Sequence, residues 1–145
     1  MSGGRPLPPE DDAPRAASLA DAGPINLLAL AEKICHRYRD EFPDEKERYG
    51  VNGYAWCVHD NQHLLNWGAQ SVNGFFDVKQ EVSWLANVLE ARGFPVDRLA
   101  RNLDIGAEVV GREVTGPAGA QLADTLTEAA SFVRSGEFVD YVPDD

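Results

Sequence analysis

The chain has 145 residues, of which 43% are hydrophobic and 26% are charged, and this suits one globular domain with a real core. Its net charge of −11 argues against binding a nucleic-acid backbone or an anionic membrane surface, because both contacts require Lys and Arg. No apolar run approaches the roughly 20 residues of a transmembrane helix and the N-terminus has no apolar signal region, so we expect a cytoplasmic protein.

The first 23 residues are rich in Pro, Gly, Ala and acidic side chains and contain no aromatic residue. Such a segment buries too little apolar area to offset the entropy lost on ordering. We therefore predict that residues 1–23 form a disordered tail. The alternative is a docking peptide that folds on a partner.

Apolar residues recur at helical spacing through residues 24–136, and no stretch alternates as a strand would. The pattern predicts helices from Pro24 to Phe42, Tyr49 to Val72, Phe75 to Gly93, Pro95 to Val114 and Pro117 to Arg134, the last ended by Gly136. Short connections favour antiparallel neighbours, so the sequence predicts an all-α antiparallel bundle of four or five helices. Residues 137–145 form an acidic tail that packs on the bundle or reaches a partner.

The second predicted helix has large side chains on two faces. One sector carries an apolar stripe, and nearly opposite it lie Trp56, His59, His63 and Trp67. Trp84, on the third predicted helix, also lies away from the apolar stripe of its own helix. These five residues predict a second surface, which either is covered by other helices or binds a ligand or a protein.

The histidine pair has the i, i+4 spacing that places both imidazoles on one side of a helix, as in zinc motifs. The residues between them, Asp60, Asn61 and Gln62, supply no glutamate base, and the sequence indicates no third ligand. Cys57 with either histidine is the visible nucleophile–base pair, but i, i+2 side chains do not face each other. We therefore predict neither a metal site nor a catalytic site.

The two cysteines form no CxxC motif, which favours two free thiols. Cys35 lies in the apolar stripe of the first predicted helix, where a thiol usually serves as a small buried hydrophobe.

The runs WCVHDNQHLLNW and VSWLANVLEARGFPVDRLARNL resemble the helical modules that precede cobalamin-binding domains in bacterial B12-dependent regulators and photoreceptors. The resemblance covers residues 48–110 and implies a helical module whose aromatic and histidine-bearing helix covers the upper face of a corrinoid. The photoreceptor motif is a Trp followed, nine residues on, by Glu-His, whereas Trp56 of this chain is followed at that distance by Asn66 and Trp67. The chain also shows no α/β pattern. The resemblance therefore implies a bundle that has lost the cofactor, or one that acts beside a separate partner.

Two functions follow as expectations. The favoured one is a non-enzymatic interaction or regulatory module that binds a protein, or another copy of itself, without a cofactor. Its binding residues are Trp56, His59, His63, Trp67 and Trp84. The alternative is a sensor that holds a flat cofactor, cobalamin or another tetrapyrrole, between the second and third predicted helices.

Overall fold

The computed structural model describes residues 6–9 and 12–142. Within these residues the chain forms six α-helices and one small hairpin, so the predicted all-α class is confirmed. The elements are β1 (Ala16–Leu19), β2 (Gly23–Asn26), α1 (Leu27–Glu41), α2 (Glu45–Tyr49), α3 (Gly53–Val72), α4 (Val78–Ala91), α5 (Val96–Glu113) and α6 (Pro117–Ser135). Short 3-10 helices follow β1 at Ala20–Ala22 and α6 at Glu137–Asp140.

The core lies where α1, α3, α5 and α6 meet. The most extensive packing joins α5 to α6, and α1 packs against both α3 and α5. Close approach at this crossing depends on small residues. Gly106 of α5 faces Leu126 and Ile34, and Gly68 of α3 faces Leu122.

The helix ends follow the residues that the sequence supplies. The Asn26 side chain accepts a hydrogen bond of 2.9 Å from the Ala29 amide at the start of α1, and the Asp77 side chain accepts one of 3.0 Å from the Lys79 amide at the start of α4. Gly136 ends α6 in the left-handed conformation at φ 78°, as predicted for a glycine at that position.

The N-terminal segment corrects a prediction. Residues 16–26 form an antiparallel hairpin, in which Ala16 pairs with Asn26 and Leu19 with Gly23, instead of a disordered tail that reaches residue 23. Alternate side chains of β1 face inward, and Leu19 is fully buried. Asn73 ties the hairpin to the end of α3, because its side chain accepts from the Ala20 amide at 2.9 Å and donates to the Ser18 carbonyl at 2.8 Å. The prediction for residues 1–5, 10 and 11 lies outside the described residues.

The C-terminal segment packs back on the bundle as far as Tyr141. Phe138 is buried, and its carbonyl accepts a hydrogen bond of 3.0 Å from the Asn87 side chain of α4. Residues 143–145 of the predicted acidic tail lie outside the described part of the chain. Among the helices that the structure describes, none combines the length and the apolar character that crossing a membrane requires.

Candidate functional site

A cleft of about 350 Å³ opens beside α3, and it is bounded by α1, α2, α4 and α5. Its wall is largely apolar and aromatic, formed by Tyr38, Tyr49, Trp56, Leu64, Leu85, Leu89, Phe94 and Leu99. The rings of Tyr49 and Phe94 lie 5.6 Å apart at their centroids and are tilted by 40°. Concave, mostly apolar spaces of this size with a few polar groups are typical of small-molecule sites.

The charged groups of the cleft are Arg48, Arg92 and Arg98 against Glu45 and Asp60, and Asp44 beside the cleft pairs with both Arg48 and Arg98. Arg98 is held in place: its guanidinium donates to Glu45 at 2.6 Å and to Asp44 at 3.0 Å. The hydrogen bond from Arg98 lowers the pKa of Asp44. Glu45 is only 6% exposed, so its pairing with Arg98 compensates a buried charge.

Tyr38 supplies a polar group to the cleft wall. Its side chain is buried, and its hydroxyl makes no hydrogen bond to any residue that the structure describes. Burial raises the pKa of Tyr38, and the nearby Glu45 carboxylate raises it further. The hydroxyl therefore offers a polar contact close to the Glu45 carboxylate in the cleft wall.

An amide pair fixes the floor of the cleft. Asn61 and Asn102 are buried and exchange two hydrogen bonds, of 3.0 Å and 2.8 Å. The Asn61 amide nitrogen also lies 3.4 Å from Cys35 Sγ and 3.6 Å from Cys57 Sγ. Both thiols are free, and burial raises the pKa of Cys35, as the prediction of a buried structural thiol requires.

Alongside the cleft, α3 carries the Trp/His row, which consists of Trp56, His59, His63 and Trp67, and Trp56 belongs to both. Successive ring centroids lie 5.0, 4.8 and 5.9 Å apart, so these four predicted site residues do form one continuous surface. Trp84 does not join them within the described chain. It lies on α4, is 60% exposed, and belongs neither to the cleft wall nor to the ring contacts of the row.

Residues 6–9 and 12–14 lie over the Trp/His row. Trp56 Nε1 donates to the Pro6 carbonyl at 2.5 Å, and the Gln62 side chain donates to the Pro14 carbonyl at 3.0 Å. Asp12 reaches the histidines: its Oδ2 atom lies 2.6 Å from His59 Nε2 and 4.0 Å from His63 Nε2. The row is therefore covered by the chain's own N-terminal residues.

Three carboxylate–imidazole contacts set the protonation of the row. The hydrogen bond between His59 Nδ1 and Asp60, 3.1 Å long, raises the pKa of His59, and Asp12 raises it further. Burial lowers the pKa of His63, and the neighbouring His59 lowers it further. The hydrogen bond from His59 lowers the pKa of Asp12.

The Cys57–histidine pair that the sequence analysis considered is not assembled in the described structure. Cys57 lies in the cleft wall beside Asn61, whereas His59 contacts Asp12 and Asp60. Sequence reasoning missed Asp12 and the cleft residues of α2 and α5. The helical spacing of apolar residues in α5 indicated which face of that helix is buried. No pattern in the acidic N-terminal residues distinguished Asp12 from its neighbours.

Comparison with protein-family models, with curated proteins and with solved structures yields no match.

Proposed function

We propose that this domain is a non-enzymatic regulatory module that binds a small planar or aromatic molecule with an acidic group in the cleft. The observation that carries the proposal is the 350 Å³ aromatic space with three arginines in its wall. Rings such as Tyr49 and Phe94 offer flat contact area, and arginine forks recognise carboxylates, sulfonates and phosphates.

The side chains of the cleft wall favour ligand binding over catalysis. Glu45 and Arg98 are engaged with each other, and the nearest thiol lies beside an amide instead of an imidazole. A general base needs to reach a reacting proton within about 3 Å, and neither histidine of α3 lines the cleft.

Titration with anilinonaphthalene sulfonate, an aromatic anion that fluoresces in apolar sites, tests the proposal. We expect saturable binding of one probe per chain. Arg92→Glu, which reverses a charge on the rim, should weaken binding about tenfold, equivalent to about 1.4 kcal/mol. Leu89→Trp, which fills part of the cleft, should weaken it further.

Matched controls lie outside the cleft. Arg112→Glu reverses a charge at the exposed end of α5, and Trp84→Ala removes an exposed ring, so both should leave the probe's affinity unchanged. Probe binding that does not saturate, or that Arg92→Glu and Arg112→Glu weaken equally, would contradict a ligand site in the cleft.

The flat-cofactor alternative uses the same space, because the cleft lies between α3 and α4. Its wall contains neither His59 nor His63, so a tetrapyrrole there would lack an imidazole ligand from α3. Absorbance spectra after incubation with cobalamin or haem test it. A stoichiometric spectral shift that is lost in Leu89→Trp would identify a tetrapyrrole as the ligand.

A second candidate function is docking of a protein on the α3–α4 turn. Phe75, Phe76 and Trp84 are large apolar side chains with 74%, 47% and 60% exposure. A partner with a basic rim would suit the net charge of −11. Sedimentation of the full chain would reveal self-association here, and Trp84→Ala should abolish it while leaving probe binding in the cleft intact.

A further inference from the structure

We propose that Asp12, His59 and His63 form a binding site for a divalent transition-metal ion of the zinc type. The site is distinct from the cleft, because none of the three residues lines it. Its three donor atoms, one carboxylate oxygen and two imidazole nitrogens, all lie within 4.8 Å of one another.

The donor geometry is close to what a tetrahedral ion requires. Zinc binds imidazole nitrogen and carboxylate oxygen at about 2.0–2.2 Å, which places two tetrahedral ligands about 3.3 Å apart. The Asp12 oxygen lies 2.6 Å from His59 Nε2 and 4.0 Å from His63 Nε2, on either side of that value. A shift of the Asp12 carboxylate by about 1 Å toward His63 would make the two distances equal. Asp12 is half exposed, so its side chain has room for this movement.

A carboxylate behind the first histidine orients it as in known metal sites. Asp60 Oδ1 lies 3.1 Å from His59 Nδ1, so Nδ1 can donate to Asp60 while Nε2 points at Asp12. Metal-bound histidines usually donate their second nitrogen to such a carboxylate, which fixes the tautomer and the ring orientation. His59 therefore has one carboxylate at each ring nitrogen, Asp60 at Nδ1 and Asp12 at Nε2. A metal ion bound between Nε2 and Asp12 would replace the proton at Nε2.

The surroundings favour an ion with an open fourth position. The His59 and His63 side chains are 13% and 29% exposed, so water can complete the coordination. Trp56 and Trp67 flank the two imidazoles at centroid distances of 5.0 and 5.9 Å. Two imidazoles with one carboxylate suit zinc, cobalt, nickel and copper better than calcium or magnesium, which prefer oxygen ligands.

Such an ion would join the N-terminal segment to α3. Asp12 comes from a part of the chain that lies over the Trp/His row, 47 positions away from His59 in the sequence. Because the ion binds the folded arrangement and not the unfolded chain, it stabilises docking of the segment as well as the bundle.

Calorimetry with Zn²⁺ and visible spectroscopy with Co²⁺ on the full metal-stripped chain test the site. We expect one Zn²⁺ per chain, a higher melting temperature with Zn²⁺, and Co²⁺ bands typical of tetrahedral coordination. His63→Gln and Asp12→Asn should each weaken Zn²⁺ binding more than tenfold. Asp60→Asn should weaken it about 10–100-fold by releasing the His59 ring.

His36→Ala is the matched control, because His36 is exposed on α1 and stacks on Tyr54, away from the row. It should bind Zn²⁺ as the parent chain does. Circular dichroism of each metal-free variant excludes misfolding, and Asp12→Asn, at an exposed position, should leave the helical signal intact. If Zn²⁺ does not bind, or if His63→Gln weakens binding while Asp12→Asn does not, the three-residue site is wrong.

Discussion

The two histidines of α3 lie one turn apart, yet their pKa values are shifted in opposite directions. Hydrogen bonds to Asp60 and Asp12 raise the pKa of His59, whereas burial lowers the pKa of His63. The His59 imidazolium therefore stabilises the fold fully below its ordinary pKa of about 6.5, and this contribution is lost as pH rises through the folded-state value. For His63, burial favours the neutral ring, so stability is lost as pH falls from about 6.5 through the folded-state value.

We predict that nuclear magnetic resonance titration of the metal-free chain will find His59 titrating above about 6.5 and His63 below it. Asp12→Asn removes one carboxylate partner and should lower the pKa of His59. A chelator keeps adventitious ions from masking the shifts. An inverted order, with His63 titrating above His59, would show that Asp12 and Asp60 do not engage His59 in solution.

Single residues also show which parts of the site the sequence can predict. Helical periodicity was sufficient to place Trp56, His59, His63 and Trp67 on one face, because they are neighbours on a single helix. The contact with Asp12 spans 47 positions and depends on how the N-terminal segment folds back. No local pattern records such a contact, so a third metal ligand could not be inferred from the spacing alone.

At the scale of elements, the α5–α6 connection depends on one glycine. A Cβ atom on Gly119 would lie 2.2 Å from the Val114 carbonyl oxygen and 2.9 Å from its carbon, which is backbone that cannot rotate away. Gly111 has no such neighbour, since its nearest contact would be Ala123 Cβ at 4.0 Å. An added methyl group therefore clashes with backbone at Gly119 of α6 but fits at Gly111 of α5.

We predict that Gly119→Ala lowers the free energy of unfolding by about 1–3 kcal/mol, because the first turn of α6 must shift away from Val114. Gly111→Ala should instead raise it by up to about 1 kcal/mol through helix propensity. Urea unfolding followed by circular dichroism measures both. Equal effects of the two substitutions would mean that α6 does not start against Val114.

The long helices were predictable, and the short elements were not. Helices α1, α3, α4, α5 and α6 each repeat an apolar stripe over three or more turns, which a sequence records redundantly. The five-residue α2 falls between the first two predicted helices, and it stops at Gly50, where φ is 81°. The hairpin strands have four residues each, mostly small ones, so their alternation carries little apolar signal.

At the scale of the whole molecule, several cations of the described chain are engaged in ion pairs between helices. Lys33 and Arg37 of α1 bind Glu113 and Glu108 of α5 at 2.5 and 2.6 Å, and Arg101 of α5 binds Glu41 at 2.7 Å. Exposed pairs of this kind contribute about 0–1 kcal/mol each, so they orient α1 on α5 more than they stabilise it.

The N-terminal hairpin packs against the helices, and this leads to a last prediction. Leu19 is fully buried at the end of β1, where the hairpin lies against α3 and α6, whereas Leu7 is 63% exposed. Leu19→Ala should lower the free energy of unfolding by about 2–5 kcal/mol by opening a cavity. Leu7→Ala should change it by less than about 0.5 kcal/mol. Thermal and urea unfolding of the metal-free variants measure both, and a Leu19→Ala chain as stable as the Leu7→Ala chain would show that the hairpin is detached from the bundle in solution.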